Sequence, residues 1–142
     1  MKKIVSFIAC IMIASALHAE ANIGYLMTVN SIADYPEEIQ NGIAQKPEQN
    51  AATWFENNYI KSGKGRFITL SEAMNDDLSS YKAIWVNVDR VGLSSLSNIG
   101  ISANVILGLK KYVENGGNLF VTKQANQIIH AMGRIGYAPT WE

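Results

Sequence analysis

The chain has 142 residues, 12 basic and 12 acidic side chains, no net charge and one cysteine. That length supports one domain with a modest hydrophobic core. With no basic excess or basic patch, nucleic acid is not an expected partner.

Met1 to Ala19 reads as a secretory signal peptide. Lys2 and Lys3 form its basic start, Ile4 to Ile13 an apolar core too short to span a bilayer, and cleavage is expected after Ala16 or Ala19. Cys10 sits in the middle of that core, followed by Ile11, Met12 and Ile13, which is not the layout of a lipidated cysteine. The domain over residues 20–142 is therefore expected to be exported, to the periplasm, the cell surface or the medium. Cleavage removes Cys10, Lys2, Lys3 and His18, leaving a slightly acidic chain whose one histidine is His130. Disulfides, thiolate nucleophiles and Cys/His zinc sites are excluded from such a chain, and no metal or cofactor is expected.

Asn22 to Met27 is the first predicted strand, and Thr28, Val29 and Asn30 leave its carboxyl end. Pro36 to Ile39 suits one helical turn within a polar stretch that otherwise reads as loop, because proline fits a first helical position and acids fit a first turn. Pro47 opens a helix to about Tyr59 with an apolar stripe of Ala51, Ala52, Phe55 and Tyr59. Ser62 to Gly65 is a plain turn. It lacks phosphate-loop spacing and leads into a strand, 66–70. Ser71 is the expected cap of a short helix over Glu72 to Asn75.

Tyr81 to Arg90 carries the central strand, predicted over 83–88. Ala83 to Val88 is mostly apolar on both faces, as a strand covered on both sides requires. Ser102 then caps a helix from Ala103 to Glu114 that buries Val105, Ile106, Leu109, Tyr112 and Val113, and Asn115-Gly116-Gly117 ends it. A fourth strand, 118–122, and a helix from Gln124 to Met132 complete the alternation before the tail from Tyr137 to Glu142. Strands alternating with helices predict an α/β fold, three layers deep, with a parallel flavodoxin-like sheet of order 2-1-3-4.

With these elements in place, residues 22–139 resemble the class I glutamine amidotransferase-like superfamily. The likeness is sharpest in Leu78 to Arg90 and in Leu109 to Thr122, and continues over Gln127 to Pro139. Within it the chain is similar to a secreted domain of unknown function from glycan-degrading gut bacteria. The resemblance implies the three-layer fold and an association with glycan utilisation, fructans among them. A glutaminase of this superfamily carries a Gly-x-Cys-x-Gly turn and a later His-x-Glu. Here the fourth strand runs into Thr122-Lys123-Gln124-Ala125 without a cysteine. No glutaminase activity is expected, and the chain reads as the amino-terminal portion of a longer domain.

Ligands of parallel α/β sheets bind beyond the strands' carboxyl ends, which nominates Asn30, Asn87, Asp89, Arg90, Lys123 and Gln124 as ligand-binding residues. Amide, carboxylate and guanidinium groups suit sugar hydroxyls, though polar strand ends also serve neighbouring backbone. His130 lacks a nucleophile partner and reads as a half-exposed helix residue. Trp54 and Trp85 are expected in the core. Three functional readings stay open: a non-catalytic glycan-binding module working with outer-membrane glycan-utilisation proteins, a sugar-acting hydrolase or isomerase using Asp89, and a fragment without activity of its own. The apolar fourth strand is expected at the sheet edge, where it invites self-association.

Overall fold

A computed structural model describes residues 21–139. The expected signal peptide and Trp141 lie outside the described residues. Four parallel strands, β1 (Ile23–Leu26), β2 (Gly65–Ile68), β3 (Ala83–Val88) and β4 (Asn118–Lys123), form one sheet of order β2-β1-β3-β4. This is the flavodoxin-like order expected from the alternation of elements, in a three-layer α/β/α arrangement. β1 and β3 are central, and β4 is an edge.

The two faces differ. On one, Ile84, Val86 and Val88 of β3 meet α3 (Leu70–Asn75), α4 (Ala103–Glu114) and α5 (Gln127–Ala131) through Ala73, Leu109 and Ile128. The helices α3 and α4 approach closely at Gly108, where a Cβ would lie 1.9 Å from the Ala73 carbonyl oxygen. On the other face, Tyr25 and Met27 pack under α1 (Tyr35–Gln40) and α2 (Lys46–Phe55) through Tyr35, Ala52 and Phe55.

Several boundaries moved for local reasons. Strand β2 stops at Ile68 because Thr69, not Ser71, caps α3. The Thr69 hydroxyl accepts from the Glu72 N–H, and the Glu72 carboxylate accepts from the Thr69 N–H at 2.7 Å. This is a reciprocal capping box of the Thr-x-x-Glu type. The helix expected to reach Tyr59 is α-helical to Phe55 and finishes in a wider π turn, Glu56–Ile60. The last predicted helix is a 3-10 turn, Gln124–Asn126, followed by α5. Helix α4 matches its predicted span, with Ser102 as its cap. Gly116 adopts φ +93° just past it, and Gly117 N–H bonds back to Tyr112 C=O at 2.9 Å, a Schellman end.

Trp54 is 51% exposed, contrary to the core expectation, while Trp85 is partly buried and packs against the core around Tyr25 and Phe55. Helix α2 packs on Tyr25 of β1 through Phe55 and on Trp85 of β3 through Trp54 and Phe55, and Phe120 of the edge strand β4 lies beyond it, 59% exposed. No helix of the described residues is long and apolar enough to cross a membrane.

Candidate functional site

The carboxyl ends of the strands converge on one carboxylate, Glu48. Pro47 starts α2, which places Glu48 one helical turn before Ala52 and two before Phe55, so all three share the helix's inward stripe. Glu48 is fully buried. Its Oε1 accepts from the Arg90 guanidinium at 2.8 Å, from the Thr28 hydroxyl at 2.5 Å and from the Tyr35 hydroxyl at 3.4 Å. Its Oε2 accepts from Arg90 Nε at 2.8 Å and from the Asp89 backbone N–H at 3.1 Å. The Arg90–Glu48 pair is thus bidentate, the strong geometry for this ion pair.

Arg90 is almost as deeply buried, at 4% exposure. Its Nη1 donates to the Ile43 carbonyl at 2.8 Å, and Nη2, already paired with Glu48, also donates to Thr28 Oγ1 at 2.9 Å. Its backbone exchanges two bonds with the Gln124 amide, 2.8 Å to Oε1 and 2.7 Å from Nε2. One ion pair therefore ties together the segments after β1, before α2, after β3 and after β4. The Tyr25 hydroxyl is buried in the same cluster. Burial, reinforced by the Glu48 charge, pushes the Tyr25 and Tyr35 hydroxyls well above the ordinary tyrosine range, so both stay neutral.

Above this buried layer lies an exposed rim. Lys123 Nζ is 3.8 Å from Asp89 Oδ2, with side chains 64% and 27% exposed. Lys123 ends β4 at φ 58° and ψ −135°, and among the described residues it alone combines a side chain with positive φ. Such backbone suits glycine, and costs an ordinary residue of order 1–3 kcal/mol.

The six nominated residues therefore divide. Asp89 and Lys123 form the rim, and Asn30 is exposed on the bend after β1, outside the hydrogen-bonded network. Arg90 and Gln124 face inward and hold the frame. Asn87 is 6% exposed and accepts from Thr122 Oγ1 at 2.7 Å, while that hydroxyl accepts from Trp85 Nε1 at 2.9 Å. This chain of bonds orients Trp85 on the α2 side of the sheet. There Ile23, Trp54, Phe55, Tyr59, Trp85 and Phe120 line a hollow of about 410 Å³. Trp85 meets Phe120 and Trp54 at ring-centroid distances of 5.9 and 6.0 Å. A larger hollow of about 810 Å³ opens at the amino ends of the strands, away from the rim.

Sequence reasoning missed Glu48 and Thr28. The signal for Glu48 was present: position 48 continues the inward stripe of Ala52, Phe55 and Tyr59 toward the helix start. His130 is half-buried on α5 beside Ser94, Ser95 and Ser97, and no hydrogen bond joins it to them. Among the described residues, no three His, Cys, Asp or Glu side chains group as metal ligands. Compared with models of known protein families and with curated proteins, the chain matches none.

Proposed function

We propose that this chain is a non-catalytic, carbohydrate-binding module of an exported glycan-utilisation system, with its contacts at the rim formed by Asp89 and Lys123. The observation that carries this reading is the strained backbone of Lys123. Strain held at an exposed rim above a rigid frame is the pattern of a residue positioned for a ligand. An ammonium and a carboxylate side by side supply donors and acceptors for vicinal hydroxyls. The aromatic hollow around Trp85 adds ring faces of the kind that stack on sugars.

A catalytic reading has less support. General acid–base work needs a carboxyl group free to exchange its proton with a bound substrate. Glu48 is buried and ligated on both oxygens, and Asp89 has an ammonium as its charged neighbour. The glycan assignment itself rests on the likeness to a secreted domain of glycan-degrading bacteria.

Calorimetry against inulin-type and levan-type oligosaccharides tests the proposal. The wild-type chain is expected to bind one of them, and Lys123→Gly and Asp89→Ala to weaken binding at least about tenfold with folding intact. No binding to either glycan class sinks the glycan assignment, and unchanged affinity in both variants moves the site away from the rim.

A further inference from the structure

The rim does not explain the edge strand, β4. Among the described residues β4 pairs with β3 alone, so its outer row of backbone N–H and C=O groups faces away from the sheet. Natural edges are commonly guarded by proline, by a charge in mid-strand or by a bulge. β4 has none of these. Its one charge, Lys123, is at the very end, and Phe120 in mid-strand is 59% exposed.

The order of side chains along this edge is symmetric. Asn118-Leu119-Phe120-Val121-Thr122 runs polar, aliphatic, aromatic, aliphatic, polar, a palindrome centred on Phe120. When two copies of one strand pair antiparallel about a two-fold axis normal to the sheet, directly opposed residues must point to the same face. The axis must then pass through a residue position. Centred on Phe120, the pairing opposes Phe120 to Phe120, Leu119 to Val121 and Asn118 to Thr122. Lys123 falls opposite Gly117, and no like charges meet. Centred one residue later, the same rule sets Lys123 against Leu119 and Thr122 against Phe120, which mismatches polarity at both.

We propose that β4 is a homodimer interface, pairing antiparallel with β4 of a second copy in the register centred on Phe120. The product is one continuous eight-stranded sheet, of order β2-β1-β3-β4 and its mirror sequence in the partner. Phe120 meets its own copy at the axis, and the hollows around Trp85 and Trp54 of the two subunits join into one aromatic floor. Edge-to-edge pairing satisfies the outer backbone groups of β4, which a side chain or a ligand docking on the sheet face does not. The proposal stands independently of any ligand at the rim.

Analytical ultracentrifugation of the full chain over a range of concentrations is the first test, and a dimer that dissociates on dilution is expected. Phe120→Lys and Phe120→Glu each place like charges together at the axis and are expected to raise the dimer Kd at least about tenfold. Mixing the two variants is expected to restore a heterodimer, which shows that each remains folded. Register is read by cross-linking in a Cys10→Ser background. Phe120→Cys is expected to form an intersubunit disulfide on oxidation. Asn118→Cys is not, because its two copies lie about 14 Å apart in this register, beyond the roughly 7 Å that a disulfide spans. A chain that stays monomeric at high concentration overturns the interface, as does a dimer indifferent to both Phe120 charges. Equal cross-linking from position 118 overturns the register.

Discussion

Asp89 and Arg90 are neighbours in sequence, and each belongs to an ion pair, yet the two pairs have little in common. Arg90 meets Glu48 bidentately, with side chains 3% and 0% exposed. Asp89 meets Lys123 singly at 3.8 Å, with much of both side chains in water. The chemistry is the same and the surroundings decide the energy. A charge pair in a dry, fully bonded pocket holds the frame, because losing either partner strands the other without water. A pair at the surface gains little over hydration and is screened by salt. The lower pair joins four chain segments, and the upper pair lies at the surface.

The largest expected effect breaks the lower pair. Glu48→Ala is expected to destabilise the fold by about 3–5 kcal/mol, seen as a large drop in Tm, because Arg90 remains buried and unpaired. Replacing both partners with apolar residues, Glu48→Leu with Arg90→Met, is expected to recover much of that loss. A double variant as damaged as the single one would mean that the hydrogen bonds to Ile43 and Thr28, rather than the charge pair, hold the frame.

Lys123→Gly acts on the upper pair in the opposite direction. Relief of the positive-φ strain is expected to stabilise the chain by about 1 kcal/mol in chemical denaturation. A stability loss there would show that the Lys123 side chain serves the fold and not the rim.

The capping box lies between the two extremes. Backbone donation from Thr69, then its hydroxyl and Arg66, holds the Glu72 carboxyl below its ordinary value of 4.5. A carboxylate with a depressed folded pKa stabilises above its unfolded pKa and loses that contribution as pH falls through the folded value. Thermal melts of wild type and Glu72→Gln should therefore differ at pH 7, by the ~1 kcal/mol typical of a cap, and converge as pH falls below the ordinary glutamate range. A gap that persists in acid would assign the effect to packing. The smallest effect belongs to Asp89→Asn, expected to change stability by less than about 0.5 kcal/mol and to lose even that in high salt.

Much of the fold was legible because it is written locally. The apolar run of Ala83 to Val88, the inward spacing of Val105, Leu109 and Tyr112, and the paired glycines after Asn115 each set a backbone preference within a few residues. Their alternation then selected the parallel order. The Thr69-x-x-Glu72 cap was equally local and was overlooked in favour of Ser71. The inward position of Glu48 could be read from the stripe it shares with Ala52 and Phe55. Its partner could not: Arg90 lies 42 residues away, and only the convergence of α2 and β3 at one end of the sheet makes them meet. Tertiary structure alone likewise left Trp54 and Phe120 in the open, because helical pattern says that a face is apolar but not how far a helix extends across a sheet. Sequence by itself determined which segments are strands and helices, since propensity and periodicity act over short range. Which charge is buried and which is exposed were decided in three dimensions, since desolvation depends on neighbours that only the fold brings together.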